Sequence, residues 1–342
     1  MKKVFILFIF IGYQLIIQGQ QLLTSQPDMQ LLWYNPASAG ANFKFQANLT
    51  HRQQWSNESS FFRTSILNTD VRIGKKQWKK GYFGLGLLAY NDHIGLNNLV
   101  ENRSQLSVAF HLYLDKLKKT TLGAGMYGAF NQRYFDVSSL RWGNQWGDQG
   151  FDAGLQSNET IADPNRKWRD VGGGIFLMHR RNQSTITANN QWFINAGLSV
   201  YYGNRPAYSF NYFEKERLQE RYVLALSFQK GLKYTSFTLA PQAFVVKQWQ
   251  YYSYLIGTDI KWMLKDHSIY TSFENSFVLS TGFYYRNSNA LVSKILIEYG
   301  PYALGVSFDY NWFYKKTSNQ TQNVMELTLR YVSPSSFSRI AH

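Results

Sequence analysis

The sequence predicts an all-β chain that closes into an antiparallel transmembrane barrel of the outer-membrane kind, with about fourteen strands. Three observations carry that expectation. First, segments of about ten residues alternate at period two between bulky apolar and small or polar side chains, as a strand with two unlike faces does and a helix does not. Second, beyond residue 19 no stretch reaches eighteen consecutive apolar residues, so no helix would span a bilayer, and a closed barrel is the other structure that satisfies its backbone in lipid. Third, the 342 residues include 10 Trp, 24 Tyr and 25 Phe but only 17% charged residues, far too aromatic for a disordered chain. Lys and Arg (36) exceed Asp and Glu (21), yet the basic residues are scattered through aromatic, Gly-punctuated segments. The basic face that nucleic acid requires is missing.

The elements follow in order. Lys2 and Lys3, an apolar run from Val4 to Ile17 and a small Gly19 before Gln20 read as a secretory signal peptide, residues 1–19. Residues 20–41 form an N-terminal periplasmic or plug-like segment. Asn35–Gly40 reads as a rigid corner: Asn before Pro favours a turn, Pro36 fixes φ, and Gly40 permits positive φ. Leu22, Leu23, Leu31, Leu32, Trp33 and Tyr34 extend that reading to a segment packed inward as a seal. The barrel occupies 42–332, with strands expected at 42–53, 61–73, 82–91, 103–115, 120–132, 171–180, 192–202, 221–230, 235–247, 253–263, 276–285, 290–299, 302–313 and 323–332. A C-terminal extension, 333–342, closes the chain.

The count is even, and its parity is informative. With the N-terminus in the periplasm, the long connections 133–170 and 203–220 both fall outside, and the tight ones at 115–119, 231–234 and 300–301 fall inside. Connections 181–191 and 264–275 are long for the inner set, with room for a helix or a misplaced strand. Along Tyr302–Trp312 the even positions are Tyr, Leu, Val, Phe, Tyr and Trp, and the odd ones Ala, Gly, Ser, Asp and Asn. A soluble sandwich would carry heavy charge on its second face. Here that face is small and mildly polar, as a lumen is. Bulky or charged lumen residues, among them His111, Tyr127, Tyr201, Asp259, Lys294, Asp309 and Glu326, favour a filled interior.

No catalytic constellation or cofactor site is expected. The chain has no Cys, its six His form no metal-binding spacing, and no Gly-x-Ser-x-Gly elbow occurs. Gly84-x-Gly86, Gly123-x-Gly125 and Gly172–Gly174 lie in strand patterns without a following helix, so lumen packing or strand bending explains them better than a dinucleotide loop.

Several motifs together resemble one family. They are Asn35-Pro36-Ala37-Ser38-Ala39-Gly40, the strand end His51-Arg52-Gln53-Gln54-Trp55, Gly84-Leu85-Gly86 followed by Asn91-Asp92 and Gly95, and, late in the chain, Pro241 with Lys247, Gly282 through Arg286, Ser307 through Tyr310 with Asp309, and Glu326-Leu327. In order and spacing they are similar to the PorP/SprF family, outer-membrane proteins of the type IX secretion and gliding machinery of Bacteroidota. That resemblance implies a non-enzymatic barrel in the outer membrane whose partner is a secreted type IX cargo protein, through its C-terminal domain, or another machinery component. The alternative is a passive porin or small-solute transporter. The expected partner-binding residues lie in the two long outer connections and adjoining strand ends: Tyr134, Phe135, Arg141, Trp142, Trp146, Trp168, Arg169, Arg205, Tyr208 and Tyr212. Trp, Tyr and Arg are the residue types enriched at binding hot spots.

Overall fold

The computed structural model describes residues 23–54, 62–74, 80–95, 99–137, 140–148, 150–158, 164–181, 189–210, 216–265, 276–287, 289–311 and 323–333. The expected signal peptide (residues 1–19), Trp55, Tyr212 and residues 334–342 lie outside them. Fourteen strands form one closed barrel. They are β1 (Phe45–Gln54), β2 (Phe62–Ile73), β3 (Gly81–Ile94), β4 (Leu99–Tyr113), β5 (Thr120–Tyr134), β6 (Asn165–Arg181) and β7 (Trp192–Tyr201). The second half comprises β8 (Arg221–Gly231), β9 (Phe237–Gln248), β10 (Tyr251–Lys265), β11 (Phe277–Arg286), β12 (Ala290–Tyr299), β13 (Tyr302–Asn311) and β14 (Val324–Val332). Each strand pairs with its sequence neighbours, and β1 closes the ring on β14, from Gln46 opposite Val332 to Gln54 opposite Val324. Closure removes every open sheet edge, which no strand in lipid could leave unpaired.

All fourteen expected strands are present, and the differences are at their ends. β6 begins at Asn165, not 171, and β4 at Leu99, not 103. Pairing continues above the apolar band through polar residues, for example Arg133 opposite Arg166 and Glu101 opposite Arg133, a composition that reads as loop. The connection expected at 133–170 therefore shortens to 135–164. It contains a two-residue hairpin, Trp146–Gly147 against Gly150–Phe151, that the sequence reading did not anticipate. Of the two long inner connections, 182–188 and 266–275 lie outside the described residues.

The two faces follow the sequence pattern. Leu49, Leu67, Leu106, Phe110, Leu198, Leu224, Leu327 and Leu329 point outward and are exposed, whereas Asn48, Thr50, Ser107, Ser199, Glu326 and Thr328 point inward and are buried. So broad an apolar exterior is stable only against lipid. At the end with short turns, aromatic pairs ring the outside: Tyr302 with Tyr331 (5.4 Å between ring centroids), Phe237 with Trp262 (5.8 Å) and Phe277 with Tyr299 (6.4 Å). They sit where interfacial girdles belong.

One prediction tests this assignment of faces. Leu329, 49% exposed, lies on the outer face of β14 between Leu49 and Leu304. Leu329→Asp is expected to cost about 1–2 kcal/mol by placing an acid in lipid and to lower the surface level sharply, read by heat-modifiable gel mobility. Removing 334–342 should leave that level unchanged. Normal assembly of the Asp variant would reverse the faces of β14.

Candidate functional site

Residues 23–41 run through the lumen from the long-loop end to the short-turn end, and then enter β1. Three short turns shape the path: Pro27–Gln30, Leu31–Tyr34 and Pro36–Ser38. Both 3-10 turns begin with proline, whose fixed φ suits a first helical position and whose missing N–H would be unused there. The Asn35 side chain accepts a hydrogen bond from the Ala37 N–H (2.9 Å) and donates to the Ile175 carbonyl (2.8 Å), so one residue both shapes the turn and ties it to β6. Gly40 takes φ +66°, a conformation that L side chains avoid, and redirects the chain toward β1.

The barrel wall is cut to fit this segment. A Cβ at Gly84 would overlap the Ala39 carbonyl, and one at Gly125 would lie 2.7 Å from the Ala37 Cα. Elsewhere along the segment, Trp33 stacks on Tyr90 (4.8 Å) and Tyr34 packs against Phe244 (5.4 Å). The Tyr34 hydroxyl accepts the Thr24 N–H (2.8 Å).

Polar clusters anchor the segment along its length. At the long-loop end, Arg286 donates to the Leu23 carbonyl (2.6 Å) and pairs with Asp309 (3.0 Å), and Arg52 donates to Ser25 Oγ (2.9 Å) and pairs with Glu326 (3.2 Å). Glu326 accepts the backbone N–H groups of Ser25 (2.8 Å) and Gln26 (3.0 Å), and the Ser25 hydroxyl donates to Asp309 (2.6 Å). Two guanidiniums and two carboxylates thus balance around a neutral backbone, as buried charge requires. Midway, Gln30 donates to Thr50 and accepts from Asn68. Lys294 bridges Asp28 (2.9 Å) and Asp259 (2.8 Å), and the Tyr284 hydroxyl donates to Asp259 (2.6 Å). At the short-turn end, His111 donates to the Ala39 carbonyl (2.8 Å), Arg72 to the Gly40 carbonyl (2.8 Å), and the Gly40 N–H to Asp70 (2.9 Å).

The motif residues divide between two roles. Asn35, Pro36, Ala37 and Gly40 belong to the luminal segment; Arg52, Arg286, Asp309 and Glu326, from four strands, converge on its start. Gly282 leaves room for the Asp259 carboxylate, and Gly95 takes φ +68° at the end of β3. Asp92 accepts from Thr64 (2.7 Å) and from the Tyr90 hydroxyl (3.0 Å), and Asn91 donates to Asn102 (2.8 Å). These are wall contacts. Sequence reasoning missed Ser25, Gln26 and Gln30, and also Arg103, which pairs with Asp170 (3.0 Å) beside the Tyr127 hydroxyl (2.5 Å). Among the described residues, no group of three or more His, Asp or Glu side chains could hold a metal ion.

The rim residues do not form one patch. Trp168 is only 6% exposed and faces the lumen, with the Arg133 guanidinium over its ring (5.6 Å) and over that of Tyr208 (5.3 Å). Phe135 meets Phe210 edge-on at 4.9 Å, joining the two long connections. Trp146 packs on Phe151 (5.7 Å) and remains 56% exposed; Arg141 covers Phe151 (4.9 Å) beside Trp142. Arg205 pairs with Glu220 (2.6 Å), the Arg169 carbonyl accepts from Asn204 (3.0 Å), and Tyr134 is exposed at the end of β5.

Comparison with known proteins gives three results. No curated protein matches the chain. Among solved structures it is similar to the CymD monoaromatic hydrocarbon channel (TM-score 0.44, 11% identity, covering 94% of each chain). It is also similar to the P. putida toluene transporter TodX (0.40, 10% identity, 87% of this chain and 91% of that one) and to the translocator domain of the autotransporter NalP from Neisseria meningitidis (0.34, 11%, 90% and 96%). The sequence matches the type IX secretion system membrane proteins PorP/SprF over residues 18–331, almost the whole chain, and the protein therefore belongs to that family as an outer-membrane barrel of the type IX system.

Proposed function

We propose that this barrel holds a secreted type IX cargo protein, through the cargo's C-terminal domain, or another machinery component, at its long-loop rim for export and surface attachment, and that it catalyses no reaction. Outer-membrane barrels place short turns in the periplasm and longer loops outside, which puts 135–164 and 202–220 at the cell surface. The observation that carries the reading is the Phe135–Phe210 contact. It joins described parts of the two longest connections, and Trp146, on the hairpin of the first, stands exposed. A preordered aromatic surface loses less entropy on binding than a mobile loop. The rival reading, a passive porin or solute transporter, has the filled lumen against it.

Replacing 138–163 with a short Gly/Ser linker is the test. The tagged intact barrel, purified from its native cell, should retain a secreted partner that the shortened barrel loses, with equal heat-modifiable mobility for both. Retention of the same partner by the shortened barrel would remove this loop from the mechanism.

A further inference from the structure

From the lipid-facing surface at the short-turn end we infer a binding site for the phosphate headgroup of an anionic phospholipid, built on Arg181, Trp192 and Lys230. These three residues stand in one cross-strand row: Trp192, the first residue of β7, is directly opposite Arg181 at the end of β6 and opposite Lys230 at the end of β8. Their side chains point outward, by the same alternation that exposes Leu177, Ile194, Leu198, Leu224 and Leu226 on these strands. The row thus lies at the edge of the apolar band, at headgroup depth in the periplasmic leaflet.

The indole is fixed in place. Trp192 stacks on His179 (4.8 Å, rings 26° apart) and packs against Phe228 (6.5 Å). His179 is itself held by a hydrogen bond with Thr120 (2.9 Å). An aromatic platform one residue into the girdle supports acyl and glycerol carbons, and it orders the position between the two cations.

The cations lack partners of their own. Arg181 and Lys230 are both exposed, and neither has an ion pair among the described residues. The connection 182–191 that follows Arg181 carries no acidic residue. Adjacent strands lie about 4.8 Å apart, so the two Cα atoms are separated by about 10 Å, a span that a long guanidinium and a long ammonium side chain close around one phosphodiester. The buried ion pairs of the barrel, such as Arg103 with Asp170, turn inward; this row presents positive charge outward, at headgroup depth.

The experiment uses the intact barrel in detergent, with native mass spectrometry to count bound lipid. Dioleoylphosphatidylglycerol should give discrete adducts, dioleoylphosphatidylcholine few, and inorganic phosphate none. The double variant Arg181→Gln with Lys230→Gln should bind phosphatidylglycerol about thirtyfold more weakly, from the loss of two charges at an anionic surface. Lys44→Gln with Lys80→Gln, which removes two exposed charges of the same end just before β1 and β3, strands that pair with none of β6, β7 and β8, should bind as the intact protein does. Arg181→Lys should restore most of the adduct to a chain carrying Lys230. Equal loss in the two double variants would reduce the site to a diffuse basic collar, and unchanged adducts in the first would remove it. Adducts that vanish while an acidic periplasmic protein co-purifies through the same two residues would assign the row to a protein partner and overturn the lipid site.

Discussion

Deleting residues 21–34 is expected to convert a sealed barrel into a conducting one while leaving the barrel assembled. Fourteen strands enclose more space than wall side chains alone can fill, since eight-stranded barrels are just filled and those of sixteen leave an aqueous channel. Here the surplus is taken up by Leu32, Trp33, Tyr34 and the polar residues around them, all buried. The wall should survive the loss because its charges also pair with one another. Lys294 keeps Asp259, Arg52 keeps Glu326, and Arg286 keeps Asp309, and water entering the lumen would solvate what the segment had covered. Planar bilayers should show resolvable unitary currents for the deletion and only background for the intact protein. Background current from a well-assembled deletion would mean that the loops, not the luminal segment, close the barrel.

The second large effect concerns the anchor at the long-loop end. Arg286→Met leaves Asp309 and Glu326 buried with Arg52 as the one guanidinium beside them and removes the shorter of the two hydrogen bonds to the Leu23 carbonyl, the other coming from Arg52 at 3.4 Å. Breaking a buried pair from one side costs about 3–5 kcal/mol, because the remaining charge stays desolvated. The unfolding midpoint in denaturant should fall accordingly, and limited proteolysis should cut near residue 23. Adding Asp309→Asn to Arg286→Met should recover much of the loss, since the surplus carboxylate is then gone. A single variant as stable as the intact barrel, or a double variant that recovers nothing, would show that this cluster does not anchor the segment.

The strands were readable because lipid and lumen make opposite demands on alternate residues. Leu304, Val306 and Phe308 against Ala303, Gly305 and Ser307 admit no helical reading. Reading failed where the sheet rises above the membrane. In 165–170 the outward Lys167 and Arg169 face water, so period two persists without its apolar half, and the buried Trp168 looked like a loop aromatic. The luminal segment was half readable. Asn35–Gly40 is a corner, as expected, but its neighbours on the wall lie far off in sequence. Glycines 84, 86, 123, 125, 174 and 197 mark the space it fills, and the register of β3 through β7 brings them to one side. The convergence of Arg52, Arg286, Asp309 and Glu326 likewise depends on β1 meeting β14, a pairing of the chain's two ends that no local pattern encodes. Among the motif residues, Asn35–Gly40 and the Arg52, Arg286, Asp309 and Glu326 cluster meet in the lumen, a relation that only the folded barrel displays.

Photo-crosslinking from the long-loop rim in living cells tests the proposed role most directly. A photoreactive residue at Trp146, exposed on the hairpin of the longest connection, should yield an adduct with a secreted protein bearing a type IX C-terminal domain or with another component of the system. The same residue at Tyr234, 84% exposed in a short turn at the opposite end, should not yield that cargo adduct. Cargo captured at Tyr234 and not at Trp146, or no adduct at Trp146 in cells that export their adhesins normally, would contradict a partner held at the outer rim.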